Sequence, residues 1–193
     1  MTESSGRITV CAFIPLCSYY FPRLSSNDLG VFCRSWVAHT LWHLGYPDQA
    51  RTMSHTALAR AHALSHPFSL ALALNYAAIC HQFRREEHAT YERAEAATVL
   101  CREHGFAYYL TWRAILQGWV MVAQGQGEAG ITQMRDGLAA FRATGGQVRL
   151  PYYLGLLAGA CRHVGQGAAG LTLIAEALAQ AATTGEGWWQ AEL

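Results

Sequence analysis

Histidine and cysteine are the residues of this 193-residue chain whose spacing could support metal chemistry. His39 and His43 lie four positions apart, so on a helix both imidazoles would face one side, as two metal ligands do. A structural zinc ion takes four ligands, and no third ligand follows in register. We therefore expect a packed or solvated histidine pair without a bound metal.

A second metal hypothesis combines Cys80 and His81 with Cys161 and His163, which occupy equivalent places in two repeated units. They would meet only if the chain curled tightly, so we expect structural roles for all four. No Ser/His/Asp or Cys/His arrangement lies in a catalytic motif, and no G-x-x-x-x-G-K-[ST] loop occurs. We predict a protein that is not an enzyme and has no cofactor. An enzyme or a metal protein is the weakest of the functional hypotheses that the sequence suggests.

Composition limits the classes of partner. Apolar residues make up 52% of the chain and charged residues 14%, below the usual quarter. The net charge is +1 and no lysine- or arginine-rich run occurs, so nucleic-acid binding is not expected. No apolar run reaches the roughly 18 residues of a membrane span. The six cysteines form no C-x-x-C pair, which favours buried thiols in a reducing cytoplasm.

The elements that position these residues follow from a repeated triplet of small residues. Ala38, Ala50 and Ala57 are separated by twelve and seven positions. The same spacing recurs at Ala77, Ala89 and Ala96, at Gly118, Gly130 and Gly137, and at Ala158, Gly170 and Ala177. The intervals between repeats are 39, 41 and 40 residues (77−38, 118−77 and 158−118). Small residues let antiparallel helices approach closely, and a period of this length is typical of stacked helical hairpins.

Steps of twelve and seven are those of the tetratricopeptide repeat, whose usual period of about 34 residues is extended here. We predict an all-α, right-handed solenoid of about four tetratricopeptide-like hairpins, with a period of about 40 and an extended N-terminal arm. The predicted bounds are 1–27 for the arm and 28–193 for the repeat domain, with hairpins at 28–65, 66–105, 106–146 and 150–184 and a partial helix at 186–193.

From residue 28 onward the chain resembles the tetratricopeptide-like C-terminal regions of large bacterial signalling regulators. The likeness lies in the segments LWHLGYPDQA, LSHPFSLALALNYAAICHQFRRE, GWVMVAQGQGEAGITQMRDGLAAFRATG, PYYLGLLAGA and TGEGWWQAEL. In that family a STAND-class ATPase, nucleotidyl-cyclase or LuxR-like module precedes the helical array. The resemblance implies a cytoplasmic sensor array that lacks those catalytic modules.

In tetratricopeptide arrays the first helix of each hairpin lines a concave groove, and the positions that face the groove can be transferred to this chain. Ten residues are predicted to face a partner: His39, Trp42, His43, His81, Gln82, Trp112, Trp119, Tyr152, Arg162 and His163. Aromatic residues and arginine are enriched at interaction surfaces. We expect a protein-interaction or sensor scaffold that binds a peptide or protein segment there. A small-ligand receptor is the alternative, and aromatics that only fill a tight superhelix are the plainer interpretation.

The C-terminal end predicts self-association. Repeat arrays normally end in a polar capping helix, whereas this chain ends on Trp188 and Trp189. An exposed apolar patch usually marks an interaction surface. We therefore expect a homodimer formed through these tryptophans, with the apolar part of the arm as a second contact. The alternative is that the arm folds back and caps one end of the array, which would leave a monomer.

Overall fold

A computed structural model describes residues 28–193, and the predicted arm at 1–27 lies outside the described residues. Within 28–193 the chain consists of helices joined by turns, which confirms the predicted all-α class. The α-helices are α1 (Leu29–His43), α2 (Pro47–Leu64), α3 (Pro67–Phe83), α4 (Glu87–His104), α5 (Ala107–Ala123), α6 (Gly127–Ala143), α7 (Leu150–His163) and α8 (Gly167–Thr184). A 3₁₀ helix, Gly187–Glu192, stands in the place of the predicted partial helix.

Local sequence sets the ends of these helices. Pro47 and Pro67 open α2 and α3 at the first helical position, where the missing N–H is not needed. The turn after α1 contains Gly45 in the left-handed backbone conformation, at φ 83°. The corresponding residue after α3 is Arg85, at φ 58°, a conformation that costs a non-glycine residue about 1 kcal/mol.

The helix bounds recur at a constant interval along the described chain. The first helices of the four pairs end at His43, Phe83, Ala123 and His163, each 40 residues after the last (83−43, 123−83, 163−123). The second helices begin at Pro47, Glu87, Gly127 and Gly167, again 40 residues apart (87−47, 127−87, 167−127). The described chain is thus four successive helical pairs of one design.

The second pair corrects the predicted triplet by one residue. Ala96 is exposed and Ala89 is half-buried, whereas Thr90 and Ala97 are 0% and 1% exposed. The buried triplet is therefore Ala78, Thr90 and Ala97, which keeps the steps of twelve and seven (90−78, 97−90). The prediction was wrong because two adjacent alanines satisfied the pattern equally well at the first position, and a threonine stands at the second.

The helices form two layers. Each pair packs as a hairpin, α1 with α2, α3 with α4, α5 with α6 and α7 with α8. The first helices also contact one another along the stack, α1 with α3, α3 with α5 and α5 with α7. We refer to these four first helices as the inner layer and to the second helices as the outer layer. Ala77 and Ala158, predicted to lie at hairpin contacts, are buried at 1% and 4% exposure.

The cysteines of the described helices are free thiols. Cys80, Cys101 and Cys161 are buried, as predicted, and Cys33 is half-buried. Burial raises the pKa of Cys80 and of Cys101 to about 11, so both thiols stay protonated near neutral pH. In the same part of the chain no helix is both long and apolar enough to cross a membrane.

Candidate functional site

The tryptophans of this protein collect at the inner layer. The six are Trp36 and Trp42 on α1, Trp112 and Trp119 on α5, and Trp188 and Trp189 on the 3₁₀ helix. Most of them contact aromatic residues of α3 and α7, among them Tyr76, Phe83 and Tyr152. Two cavities border this aromatic surface.

Trp189 fills the middle of the aromatic surface. Its ring stacks on Phe83 with 5.4 Å between centroids and meets Tyr152 edge-on at 4.9 Å. Only 7% of Trp189 is exposed. Gly155 permits this approach, because a Cβ at that position would lie 2.9 Å from the indole nitrogen of Trp189. The 3₁₀ helix is therefore packed into the inner layer.

The expectation of an exposed tryptophan patch at the C-terminal end is wrong. Trp188 is half-buried, and its Nε1–H donates to Glu186 Oε1 at 2.9 Å. The sequence argument assumed that an incomplete hairpin leaves its apolar side uncovered, whereas the 3₁₀ helix turns both indole rings back onto the inner layer. The predicted homodimer loses this surface as its basis and stays a prediction.

One cavity, of about 560 Å³, has Trp119 and Trp189 in its walls, and we name it the Trp119 cavity. The inner helices contribute one equivalent position each, spaced by 40 residues: Trp42, Gln82, Val122 and Arg162. The next position adds Phe83, Ala123 and His163. This cavity therefore runs along the C-terminal ends of all four inner helices.

A second cavity, of about 590 Å³, is bordered by Trp188, and we name it the Arg149 cavity. Its lining is mostly apolar and comes from α1, from the turn between α6 and α7, and from the start of the 3₁₀ segment. Gln147, Val148 and Thr184 lie at its mouth and are exposed to solvent. A small molecule can therefore enter this cavity from the surface.

Arg149 reaches the second cavity because of the backbone conformation just before α7. It caps this helix in the left-handed conformation, at φ 71° and ψ 6°. Its backbone N–H donates to both carboxylate oxygens of Glu186, at 2.8 and 3.1 Å. These bonds offset the roughly 1 kcal/mol that a non-glycine residue loses in this conformation. The Glu186 carboxylate thus binds the main chain of Arg149.

The guanidinium of Arg149 is enclosed by aromatic rings and is 0% exposed. Its Cζ lies 4.5 Å from the ring centroid of Trp36 and 4.6 Å from that of Tyr76. Trp188 and Trp112 follow at 5.4 and 5.6 Å. Its polar partner is the Tyr76 side chain, while no other hydrogen bond to its three nitrogens and no ion pair with a carboxylate forms within residues 28–193. Because arginine keeps its proton, the cavity wall contains a positive charge that is held mainly by ring faces.

Two neutral histidines lie beside this charge. His39 Nε2 is 2.8 Å from the carbonyl oxygen of Tyr76, which can only accept, so Nε2 carries the proton. The Nδ1 atom of His39 is buried and has no hydrogen-bond partner. Burial and the nearby Arg149 hold the pKa of His39 well below its usual value, and the same two causes lower the pKa of His43 to about 4.

The ten predicted groove residues fall into four groups. Those that line the Trp119 cavity are Trp42, Gln82, Trp119, Arg162 and His163, and those that line the Arg149 cavity are His39 and His43. Trp112 and Tyr152 are 2% and 0% exposed and fill the space between inner helices. His81 faces α2 and α4 instead, since its Nδ1 lies 2.6 Å from Glu86 Oε2 and its ring 6.5 Å from His55.

The one-residue error in the second pair explains why His81 was chosen. Counted from Ala78 instead of Ala77, the predicted pair His81 and Gln82 becomes Gln82 and Phe83, and both of these line the Trp119 cavity. Arg149 was missed because it lies in a turn, outside the positions that the repeat register assigns. Tyr76, on α3, is not among the ten positions that the repeat register assigns to the groove.

In residues 28–193 no three His, Cys, Asp or Glu side chains are grouped so that they could hold an ion.

Comparison of the chain with protein-family models, with curated proteins and with solved structures finds no match. A functional proposal therefore depends on the geometry of the two cavities.

Proposed function

We propose that this chain is a non-catalytic receptor domain that binds a small ligand at the aromatic surface of its inner layer. The observation that carries this proposal is the position of Trp189, which fills the middle of that surface. Cavities of about 560 and 590 Å³ remain beside the tryptophan pair, within the usual range for small-molecule sites. An extended peptide would need a continuous open channel.

The architecture that supports this function is a right-handed, tetratricopeptide-like solenoid with a period of 40 residues. Constant intervals between helix bounds and contacts among the inner helices support it. The proposal extends to the biological setting that the sequence resemblance implies, a cytoplasmic sensor array of a bacterial signalling regulator. In that setting ligand binding would change how the array presents its surface to a neighbouring module.

A peptide- or protein-binding scaffold is the second candidate, and one observation favours it. The Trp119 cavity receives an equivalent position from each of the four inner helices, so a linear partner could contact every hairpin in turn. Such a partner would have to displace Trp189 from its stacking contact with Phe83. The two candidates therefore differ in whether the 3₁₀ helix stays in place.

Tryptophan-selective ¹⁵N labelling tests both candidates, because all six indole N–H groups belong to the aromatic surface and its surroundings. A fragment library is titrated while the six indole signals, assigned by single Trp→Phe variants, are followed by NMR. The receptor proposal predicts saturable shifts of Trp36 and Trp188, or of Trp42 and Trp119, with the Trp189 signal retained in its folded position. It fails if no fragment moves any indole signal, or if only peptides bind and Trp189 shifts to a solvent-exposed value.

A further inference from the structure

We propose that the Arg149 cavity is a binding site for the carboxylate of a planar, apolar monoanion, such as an aromatic acid. This inference rests on the proposed receptor function and names the class of its ligand. The observation behind it is a fully buried guanidinium in the wall of a cavity, with one hydroxyl, that of Tyr76, for its five N–H groups and no carboxylate partner among the described residues.

The ring contacts of Arg149 do not satisfy its hydrogen-bonding groups. A cation–π contact uses the face of the guanidinium, whereas its five N–H groups point outward in the plane of the group. A buried charge without hydrogen-bond acceptors carries a large desolvation cost, so such a group normally has an ionic partner. A carboxylate matches the guanidinium fork with two parallel hydrogen bonds.

Further unpartnered polar atoms lie around the guanidinium. The Nε1–H of Trp36 is buried, has no acceptor among the described residues, and belongs to a residue that lines the same cavity. The Nε2 atom of His43 lies two helical turns beyond Trp36 on α1. It is also buried and has no hydrogen-bond partner among the described residues. An indole N–H can only donate, so Trp36 and Arg149 both require an acceptor such as an anionic oxygen.

The charge of the ligand is limited by Glu186, which lines the same cavity. Its carboxylate accepts from the backbone N–H of Arg149 and from Trp188 Nε1, and these bonds hold it in place beside the cavity. A negative charge in the wall opposes a second negative charge on the ligand. One guanidinium therefore suits a monoanion better than a phosphate dianion.

The shape of the ligand follows from the remaining walls. Trp36, Val148 and Trp188 present apolar surface, and the two indoles flank the guanidinium. Flat apolar groups pack well against indole faces, and a cavity of about 590 Å³ has room for a fused-ring acid. The exposed residues at the mouth leave the entrance open to solvent.

Isothermal titration of the full chain with three matched probes tests this assignment. The probes are 2-naphthoate, the neutral 2-naphthamide, and 2-naphthyl phosphate as the dianion. Two charge-assisted hydrogen bonds correspond to an affinity difference of about 10- to 100-fold. We expect naphthoate to bind at least 10-fold more tightly than naphthamide, and the phosphate to bind more weakly than naphthoate.

Arg149→Met removes the charge while keeping an unbranched side chain, and Arg135→Met, at an exposed position of α6 outside both cavities, is the matched control. The first substitution should weaken naphthoate binding by about 10- to 100-fold and leave naphthamide binding unchanged, while the control changes neither. Arg149→Lys keeps the charge but loses the paired geometry, so an intermediate loss is expected. Should Arg149→Met fail to fold, the lysine variant and the probe comparison on the native chain still decide.

The outcomes separate this inference from the function beneath it. Equal affinity for naphthoate and naphthamide, or naphthoate binding that survives Arg149→Met, overturns the anion site but leaves a receptor with another ligand. Absence of naphthoate binding up to millimolar concentration also overturns the anion site. If the fragment titration of the indole signals fails as well, the receptor function falls with it. If Arg149 is only structural, Arg149→Met should lower the melting temperature, and the native chain should bind naphthoate and naphthamide with equal affinity.

Discussion

Replacing Gly118 by alanine tests the closest approach of two helices in the third hairpin. Gly118 on α5 faces Gly130 on α6, and a Cβ on Gly118 would lie 2.6 Å from the carbonyl oxygen of Gly130. The same atom would lie 2.5 Å from Met134 Cγ. The methionine side chain can move aside, but the carbonyl oxygen belongs to the helix backbone, so α5 and α6 must separate.

Two opposing effects determine the size of the change. Alanine in a helix interior is favoured over glycine by about 1 kcal/mol. Overpacking a close contact costs about 1–3 kcal/mol, and the upper part of that range applies because backbone atoms are involved. We therefore expect Gly118→Ala to lower the free energy of unfolding by about 1–2 kcal/mol. For a domain of this size that corresponds to a melting temperature lower by about 2–8 °C.

Gly159→Ala is the matched control for this experiment. Gly159 lies inside α7, is exposed, and a Cβ there would meet no atom within 4 Å. The helix-propensity gain then acts alone, and we expect the free energy of unfolding to rise by about 0.5–1 kcal/mol. Urea denaturation followed by circular dichroism measures both variants against the native chain.

The opposite signs of the two variants are the decisive result. If Gly118→Ala is as stable as the native chain or more stable, α5 and α6 are not in the close contact described here. The assignment of glycine to the helix contact in the third pair would then be refuted. A loss of stability in both variants would instead refute the propensity argument.

Three further predictions follow from single contacts. Tyr152→Phe should lower the free energy of unfolding by about 1–2 kcal/mol, because the buried Tyr152 hydroxyl donates to Gln82 Oε1 at 2.8 Å. Denaturant unfolding measures this change, and the exposed Tyr91→Phe is the control that should leave it unchanged. Ala158→Leu should overpack a residue that is 4% exposed and cost about 1–3 kcal/mol, with exposed Ala182→Leu as control in a thermal melt. His43 has a pKa of about 4 in the folded chain and about 6.5 when unfolded, so between these values only the unfolded chain binds the proton. The free energy of unfolding should therefore fall by about 1–2 kcal/mol as pH decreases from 6.5 to 4, since the group is half-buried. Denaturation at several pH values should show a shallower fall for His43→Gln than for the native chain. An equal dependence on pH in the two proteins would contradict this prediction.

The helical pairs could be predicted from the sequence because the signals that end helices are local. Pro47 and Pro67 open helices, and Gly105 ends α4 in the left-handed conformation. The register of the second pair could not be predicted from residue size alone. Thr90 occupies the helix contact because its hydroxyl donates to the carbonyl oxygen of Glu86 at 2.9 Å, so its polar atom is satisfied within the helix. A pattern built on alanine and glycine does not include that possibility.

The candidate site was only partly predictable, for a different reason. Trp42 and Trp119 were placed on the inner layer because they follow the repeat register, and both line a cavity. The environment of Arg149 depends instead on Glu186, 37 residues further along the chain. No periodic pattern encodes such a contact, since it forms only when the end of the described chain folds back.

This long-range contact also links the two cavities. Glu186 binds the backbone N–H of Arg149 and the indole N–H of Trp188, which borders the Arg149 cavity. The next residue, Trp189, forms part of the wall of the Trp119 cavity and stacks on Phe83. One short 3₁₀ helix thus supplies a wall to each cavity, and its rings are too large to move independently within a packed aromatic surface. The shape of either cavity is therefore set together with that of the other, and a ligand that displaces Trp188 must also change the contacts of Trp189.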